Sequence, residues 1–379
     1  MTYLDNAASS HPKPADVYNA VERALRLGAN PGRSGHRLAL DAARIVLEAR
    51  SAVAELLGVA DAARIAFFLN GTQALNQAIK GLGLGPGDHV VTTQIEHNSV
   101  VRPLATLAER GVDVTWVEAD RHGWVAPEAI EAALRPATRL VSLCHASNVS
   151  GTLQDAEAVG DLCRRKGLVF LLDAAQTAGS VPLDVGRLGV HLLAAPGHKG
   201  LLGPQGTGLL YVDPDVRLSP LIEGGTGTRS EDRRMPEEMP EALEGGTLNT
   251  PGLAGLAAGV RYLLERGVAA VRREEQRILS YLLPELDRVE GLVTYGPRAP
   301  DERVAVVSFN LEGRDGAHLG FALDEVYDIA VRVGLHCAPG AHRALGSFPA
   351  GAVRASFGPL STVEDAEALV RALRELARL

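Results

Sequence analysis

Cysteine is scarce in this chain and clustered basic residues are missing, and each shortage excludes a class of protein. Three cysteines in 379 residues, widely spaced and odd in number, argue against a disulfide framework and fit a reducing cytosol. The formal net charge is −8, which argues against nucleic acid or an anionic membrane as a partner. We therefore expect a cytoplasmic protein.

Long apolar runs are also missing. No stretch of the sequence reaches the roughly 20 apolar residues that a membrane-spanning helix needs. The N-terminal residues, Met-Thr-Tyr-Leu-Asp-Asn, lack the basic start and the apolar core of a signal peptide. The sequence therefore predicts a soluble protein with no membrane partner.

Residues 64–212 alternate short β-rich runs with helical stretches, which is typical of a mostly parallel sheet covered by helices on both faces. In such sheets, ligands bind beyond the carboxyl ends of the strands. The predicted strands are 65–69, 89–93, 113–117, 140–144, 168–172, 191–194 and 208–212. The predicted helices between them are 72–82, 99–110, 127–134 and 155–166.

A second, smaller domain is predicted from the remainder of the chain. The glycine-rich and charged stretch 223–246 interrupts the alternating pattern, and two long helices and two strands follow it, which indicates an α+β unit. We predict a large domain over residues 15–254. The small domain would combine residues 1–14 with residues 255–379.

Lys199 and Asp173 carry the first chemical signal. Lys199 lies in the stretch Ala195-Pro-Gly-His-Lys-Gly200, one short segment after Asp173, which closes the apolar run 168–173. A lysine amine can form a Schiff base with an aldehyde cofactor, and a carboxylate can keep a pyridine nitrogen protonated. A surface-loop lysine and a helix-capping aspartate are the alternatives. Together the two residues suggest pyridoxal 5′-phosphate as the cofactor.

Further residues fit this cofactor, although each has a structural alternative. Gly71 and Thr72 follow a predicted strand at the start of a helix, where free N–H groups and the helix dipole attract a phosphate. An ordinary helix cap would show the same pattern. Gln176 could reach a ring hydroxyl from the first turn of its helix. His97 could stack on the ring or serve a structural role.

Cys337 is the one cysteine that the sequence places in a loop. Cys144 falls within a predicted strand and Cys163 within a predicted helix, so both resemble small core residues. The loop 333–340 is rich in glycine and proline, which favours exposure of the Cys337 thiol. We expect His336, as a positive neighbour, to lower the thiol pKa from about 8.5.

A metal site and a buried arginine complete the candidates. His336, Cys337 and His342 could bind zinc, but no matching Cys or His pair occurs elsewhere, so we predict no metal. Arg354 lies inside the apolar run 352–357 and needs a partner there. A buried ion pair or a bound substrate carboxylate would supply one.

Taken together, these residues resemble the class V aminotransferase family of fold-type-I pyridoxal phosphate enzymes, and within it the group II cysteine desulfurases. The resemblance covers nearly the whole chain, from Tyr3-Leu-Asp-Asn-Ala-Ala8 to Arg354. The remaining segments that carry it are Asn30-Pro-Gly-Arg-Ser-Gly-His36, Ser147-Asn-Val-Ser-Gly-Thr152, Asp173-Ala-Ala-Gln-Thr177, Gly197-His-Lys199, Glu244-Gly-Gly-Thr247 and Arg332-Val-Gly-Leu-His-Cys337.

The resemblance implies a set of cofactor-binding residues. Lys199 would bind the cofactor covalently and move the Cα proton, Asp173 would pair with the pyridinium, and His97 would stack on the ring. The phosphate would be held by Gly71, Thr72 and His198, with Thr247 supplied by the other subunit of a homodimer. The full implied set is Gly71, Thr72, His97, Asn148, Asp173, Gln176, His198, Lys199 and Thr247.

The resemblance also implies a substrate and a reaction. Asn148 and Arg354 would fix the carboxylate of L-cysteine, and Arg33 and His36 resemble a segment that lines the partner's site. Cys337 would accept the sulfur as a persulfide, with release of L-alanine and later transfer to an acceptor protein. The implied catalytic residues are Lys199, Cys337 and His97.

The chain departs from the family pattern at the phosphate site. Many relatives carry a serine two residues before the His-Lys pair, where this chain has Pro196. A glycine, Gly71, also precedes Thr72, so a second hydroxyl is absent there. The short loop around Cys337 keeps the group II pattern, which implies slow turnover without an acceptor.

Two other enzymes and one non-enzyme fit the same pattern. A selenocysteine lyase would keep its activity without Cys337, and a class V aminotransferase would require a 2-oxo acid as co-substrate. A non-enzymatic scaffold that binds a sulfur-trafficking partner would have no need of Lys199, Asp173 and Arg354 together.

Overall fold

The structure, a computed structural model, describes residues 1–32 and 35–379. The strands of these residues, in chain order, are β1 Thr2–Tyr3, β2 Ile65–Phe68, β3 His89–Thr93, β4 Asp113–Val117, β5 Thr138–Cys144, β6 Val169–Asp173, β7 Leu192–Pro196, β8 Gly208–Val212, β9 Leu292–Tyr295, β10 Val306–Leu311, β11 Ile329–Ala330, β12 Arg332–Gly334 and β13 Ala352–Ser356.

The helices of the same residues connect these strands and cover them. In chain order they are α1 Ala15–Leu27, α2 Arg37–Leu57, α3 Gly71–Gly81, α4 Asn98–Ala108, α5 Pro127–Ala132, α6 Ala156–Lys166, α7 Thr250–Arg266, α8 Val268–Leu286, α9 Gly316–Tyr327, α10 Pro339–Leu345 and α11 Val363–Leu376. None of them, within the described part of the chain, combines the length and the apolar character needed to pass through a bilayer.

The central sheet has seven strands in the order β2-β8-β7-β6-β5-β3-β4. Strand β8 is antiparallel to both of its neighbours, and the remaining pairs are parallel. From β3 the chain moves outward to β4, whereas from β5 it moves to β6 and β7 on the other side. The direction of winding therefore reverses between β3 and β5, which is where ligands bind in such sheets. The predicted mostly parallel, seven-stranded sheet is confirmed.

Burial on both faces explains the apolar runs of the central strands. Side chains alternate across a strand, so neighbouring residues of β6 enter different cores. Phe170 and Leu172 pack into the core that contains residues of α2, α6 and α7, whereas Leu171 packs into the opposite core with residues of α3 and α4. Because helices cover both faces, the strand needs apolar residues at every position.

A second sheet, with the antiparallel order β12-β13-β10-β9, forms its own core against α8, α9 and α11. The N-terminal segment belongs to this core. Strand β1 pairs in parallel with β11, and Leu4 is completely buried among the residues of the second core.

Helix α7 shows where the two cores meet. The predicted boundary between residues 254 and 255 falls inside this helix, whose buried residues Leu253, Leu256, Val260 and Leu263 all pack into the core of the central sheet. Residues on both sides of the predicted boundary therefore pack on the central sheet. We propose that the large domain extends to Gly267, which separates α7 from α8.

Arg303 joins the two units from a completely buried position. Its guanidinium donates hydrogen bonds to the carbonyl oxygens of Ser150 at 2.7 Å, Pro297 at 2.6 Å, Val306 at 2.5 Å and Tyr295 at 3.3 Å. Ser150 lies in the loop after β5, and the other three lie around β9 and β10. The side chain therefore satisfies backbone acceptors of both units at once.

We expect Arg303→Leu to lower stability by at least about 3 kcal/mol, because it leaves several buried carbonyl groups without donors. Thermal unfolding monitored by circular dichroism measures the change. Arg298→Leu is the control: Arg298 is half exposed and pairs with Asp287 at 2.6 Å, so its loss should cost under about 1 kcal/mol. Equal melting of the two variants would contradict the role of Arg303.

Candidate active site

The crevice between β3 and β5 collects polar side chains from the carboxyl ends of several strands. It has a volume of about 180 Å³. Eight of the site residues predicted from the sequence line it, namely Gly71, Thr72, His97, Asn148, Asp173, Gln176, His198 and Lys199. The structure thus brings together residues that lie up to 128 positions apart in the chain (199 − 71).

Lys199 and Asp173 form the charged centre of the crevice. Burial lowers the pKa of Lys199 to about 8, and the Asp173 carboxylate partly offsets that shift. Burial likewise raises the pKa of Asp173, which is 4% exposed, against the opposing effects of the Ala175 N–H and of Lys199. The Asp173 carboxylate accepts a hydrogen bond from Ala175 N at 2.9 Å, which fixes its orientation. At neutral pH, part of the Lys199 population is therefore a free amine.

The start of α3 provides an anion-binding end to the crevice. The N–H groups of Gly71 and Thr72 belong to the first turn, so they have no acceptor within the helix. The Thr72 hydroxyl lies 2.7 Å from the Ser99 hydroxyl. His198 Nδ1 is buried and has no hydrogen-bond partner among the described residues. These donors converge on one region at the positive end of the helix dipole.

The two departures from the family pattern belong to one packing contact. A Cβ atom on Gly71 would lie 3.2 Å from Cδ and 3.3 Å from the backbone nitrogen of Pro196. Contacts this short require the neighbour to move. Glycine at position 71 therefore lets Pro196 pack closely against the start of α3, where a larger residue would push the proline by a few tenths of an ångström.

His97 is the N-cap of α4, so the structural role considered for it is present. Its Nδ1 accepts a hydrogen bond from Ser99 N at 3.1 Å and therefore carries a lone pair. Burial, together with the positive charge of Lys199, lowers the pKa of His97 to about 4. The ring is neutral and borders the crevice.

Asn148 and Arg354 link the crevice to the second sheet. The Asn148 amide donates to the carbonyl of His336 at 2.7 Å, and its Oδ1 is buried without a partner among the described residues. Arg354 donates to the Asn148 carbonyl at 3.1 Å and to Asp5 Oδ1 at 2.7 Å. The ion pair considered as one explanation for Arg354 therefore exists, yet its Nε stays buried and unpartnered within the described chain.

Cys337 is an exposed free thiol in the turn after β12. It lies outside the set of residues that line the crevice, but its carbonyl accepts a hydrogen bond from Asn98 N at 2.8 Å, directly beside His97. His336 and Cys337 both have positive φ, at 49° and 58°. Two successive residues in this region are rare outside glycine and often mark a functional turn.

The expected charge on His336 is wrong. The residue is 5% exposed, and burial together with Arg354 lowers its pKa to about 3. A neutral imidazole supplies no positive charge to Cys337. The sequence showed only the neighbouring position, whereas the burial of the ring comes from β13, whose Ala352 carbonyl lies 3.1 Å from Nε2.

The zinc alternative finds no support in the described residues, where no group of three or more His, Cys, Asp or Glu side chains could hold a metal ion. The rings of His336 and His342 lie 5.6 Å apart in a tilted arrangement. The Nδ1 of His342 is bonded to Ser347 at 2.7 Å.

Thr247 and His36 lie away from this crevice in the single chain. Thr247 is exposed in a separate groove of about 360 Å³. It follows Glu244, which forms a buried ion pair with Arg50 at 2.8 Å. His36 is exposed and caps α2 by accepting from Ala39 N. Arg33 lies outside the described residues.

Two residues at or near the crevice had no site role assigned from the sequence. Cys144 lines the crevice instead of lying wholly within the core, because it is the last residue of β5. Glu96 is completely buried beside His97, and its carboxyl accepts a hydrogen bond from Cys144, which lines the crevice. In the sequence, Glu96 could have been noticed as an acidic residue that closely follows a strand of mainly apolar and hydroxyl side chains.

A comparison with known families identifies the chain's relatives. The family model for class-V aminotransferases matches residues 2–369. The chain belongs to the class-V aminotransferase family. Its cofactor is pyridoxal 5′-phosphate, and its architecture is that of the fold-type-I enzymes that use this cofactor.

Relatives and solved structures agree with this assignment. The chain is 39% identical over 382 residues to a probable cysteine desulfurase of Methanothermobacter thermautotrophicus, a match that covers 99% of this chain and 94% of the relative. It is similar to the apo structure of a cysteine desulfurase from Thermococcus onnurineus, with a TM-score of 0.93, 35% identity and coverage of 99% and 94%. An Escherichia coli cysteine desulfurase in an S-sulfonic acid form is 27% identical, with a TM-score of 0.89 and coverage of 100% and 94%.

If Lys199 is the amine that binds the cofactor, its lowered pKa predicts how the cofactor-free protein captures that cofactor. The rate at which the bound-cofactor absorbance band develops should rise with pH around a midpoint near 8, because the free amine is the reactive form. Asp173→Asn should move the midpoint lower, since it removes the carboxylate that stabilises the ammonium. Stopped-flow absorbance across pH 6–11 measures both.

Lys199→Ala is the control and should develop no such band. A midpoint above about 10, the ordinary range of a lysine, would contradict the buried environment described here.

Proposed function

We propose that this protein is a pyridoxal phosphate-dependent cysteine desulfurase that converts L-cysteine to L-alanine and accepts the sulfur on Cys337 as a persulfide. The observation that carries the proposal is the position of Cys337. This exposed thiol lies on a turn that is hydrogen-bonded to the start of α4, beside a crevice that contains Lys199 and Asp173. The relatives named cysteine desulfurase support it.

The residues of the crevice fit the cofactor. Lys199 supplies the amine that would hold its aldehyde carbon, and the buried Asp173 would accept a hydrogen bond from the protonated ring nitrogen. His97 would lie against the ring, and Gln176 would contact the ring oxygen. When bound, the cofactor supplies an electron sink that stabilises negative charge at the substrate Cα.

The phosphate would lie at the start of α3. Gly71 and Thr72 offer free N–H groups there, and His198 offers a buried ring nitrogen that has no partner within the described residues. This unpartnered nitrogen supports the assignment, since a buried polar atom without a partner is costly.

Lys199 is the base that we assign to the Cα proton. Its pKa of about 8 keeps part of the population unprotonated at neutral pH, and burial prevents the amine from being fully hydrated. The same amine can return the proton to the product carbon skeleton.

The substrate carboxylate would be held by Asn148 and Arg354. Arg354 is fixed by Asp5 and by the Asn148 carbonyl, so its guanidinium is oriented before substrate binds. His36 and Arg33 remain assigned to the neighbouring subunit's site, by resemblance alone.

Sulfur transfer then requires the thiolate of Cys337. Its Sγ attacks the sulfur of the substrate, an S–S bond forms and the Cβ–S bond breaks. The electron pair of the broken bond stays with the carbon skeleton, which takes up a proton at Cβ to become the methyl group of alanine. An acceptor protein or a reductant would then collect the sulfur from the exposed thiol.

A homodimer would complete the site. Thr247 lies in a groove that also exposes Leu69, Leu221 and Ile222, which are 60%, 43% and 53% exposed in the single chain. Exposed apolar side chains in one groove favour an interface. The three free cysteines of the chain support a reducing, cytoplasmic setting.

Removal of the Cys337 thiol tests the nucleophile. Cys337→Ala should retain the bound-cofactor band but lose alanine release from L-cysteine by at least about a hundredfold, because the sulfur acceptor is gone. Alanine and sulfide are measured with a reductant present. Cys163→Ala, which changes a buried cysteine of α6, should keep its activity.

Equal activity of the wild type and of Cys337→Ala would contradict the proposal and favour a selenocysteine lyase. Bound cofactor without turnover of cysteine would contradict it too, and would favour an aminotransferase, which amino-group transfer to a 2-oxo acid identifies.

Subunit mixing tests Thr247. Lys199→Ala and Thr247→Ala are each expected to be inactive or weak as homodimers. If Thr247 acts across the interface, re-associated subunits should regain about a quarter of the wild-type activity, because half of the dimers then contain one intact site. No regain, despite mixed dimers seen by native mass spectrometry, would place Thr247 in its own chain's site or in none.

A further inference from the structure

The ladder between β3 and β5 opens before the two strands end. Backbone pairing runs from His89 with Thr138 to Val91 with Val141. Both strands then continue to Thr93 and Cys144 without further pairs between them. The opening lies under the crevice, because the winding of the sheet reverses at this position.

Glu96 fills the opening with its side chain. Its Oε1 accepts hydrogen bonds from the backbone N–H of Cys144 at 2.8 Å and from the Thr93 hydroxyl at 2.7 Å. The residue has no exposed surface, and its Oε2 is buried without a partner among the described residues. A side-chain carboxyl thus replaces the backbone carbonyl that a continued ladder would have offered to Cys144.

The residues fixed by Glu96 are the neighbours of the reacting groups. Cys144 is paired on its other side with Asp173, and His145 N donates to the Asp173 carbonyl at 3.0 Å. His97 follows Glu96 directly in the chain. One carboxyl group therefore sets the positions of the strand end that bears Asp173 and of the loop that bears His97.

The surroundings of Glu96 disfavour a negative charge. The titratable groups that face it are the Asp173 carboxyl and the Cys144 thiol, with Lys199 beyond them. Burial raises the pKa of Glu96 to about 8, and the Thr93 and Cys144 donors offset only part of this. Burial also raises the pKa of Glu244, but there the Arg50 guanidinium opposes the shift with two hydrogen bonds at 2.8 and 2.9 Å.

We propose that Glu96 is a positioning residue that acts as a neutral carboxylic acid, closing the floor of the crevice between β3 and β5. It leaves Asp173 as the anionic side chain that faces the cofactor ring, and it holds Asp173 and His97 in place. The proposal rests on the cofactor site described above.

The first test separates the neutral acid from a carboxylate. Glu96→Gln keeps an acceptor, a donor and the shape of the protonated acid, whereas Glu96→Ala removes both hydrogen bonds and Glu96→Asp shortens the reach. In reconstituted enzyme, Glu96→Gln should bind the cofactor within about twofold of the wild type, and the other two at least about tenfold more weakly. Absorbance titration of the bound cofactor measures the affinity.

The second test is the pH dependence of melting. An acid whose folded pKa lies above its unfolded value loses stability as pH rises from about 4.5 to about 8 and is level above that. The melting temperature of the wild-type holoenzyme minus that of Glu96→Gln should therefore fall across this window. Glu244→Gln is the matched control and should melt below the wild type near neutral pH, because it replaces the carboxylate that pairs with Arg50.

A difference between the wild type and Glu96→Gln that stays flat from pH 5 to 9 would overturn the proposal, since it would mean an ionised Glu96. Cofactor binding by Glu96→Gln as weak as that of Glu96→Ala would overturn it too. Neither readout uses turnover, so failure of this proposal is distinguishable from failure to desulfurate cysteine.

Discussion

The buried pair of Lys199 and Asp173 is the interaction on which the rest of the site depends. Both groups lose hydration, which lowers the pKa of the lysine and raises that of the aspartate, and each is the main opposite charge available to the other. The sheet makes this arrangement possible, because the carboxyl ends of β6 and β7 bring both residues to one edge and the Ala175 N–H stabilises the Asp173 carboxylate. An amine held in this state is nucleophilic at a pH where an ordinary lysine is protonated.

A chain of hydrogen bonds connects this pair's crevice to the rest of the molecule. Asp5 of the N-terminal segment binds Arg354 on β13, Arg354 binds the carbonyl of Asn148 after β5, and the Asn148 amide binds the carbonyl of His336. Three distant parts of the sequence are thereby fixed relative to one another. The small antiparallel sheet positions the turn that contains Cys337 next to the central sheet. Arg303 holds the two units together through its hydrogen bonds to backbone carbonyl groups of both.

The sequence predicted the parts whose causes are local. Strands such as His89–Thr93 and Gly208–Val212 followed from short apolar runs bounded by turn residues. Lys199, Asp173 and Thr72 followed from their places after strands, whereas His198 and the role of Asn148 came from the family resemblance. The charge of His336, the exposure of Cys144 to the crevice and the extent of α7 depend on packing against distant segments, which a linear pattern does not reveal. The place of Glu96 after a strand was visible in the sequence, but its role was not, since its partners lie on two different strands. The coupling of Gly71 with Pro196 likewise joins residues that are far apart in the chain.

If Cys337 carries the sulfur as proposed, its turn has a consequence for how sulfur leaves the protein. Its backbone is fixed on both sides by the bonds from Asn98 and Asn148, and by the bond from Ala338 N to the Leu335 carbonyl. The Cys337 thiol can therefore move only by rotation of its own side chain, and not by movement of a flexible loop. Loop movement therefore does not bring the sulfur to an acceptor molecule. The acceptor must place its own nucleophile at the protein surface next to Cys337. The shape of that surface therefore determines which acceptor takes the sulfur, more than the motion of the loop does.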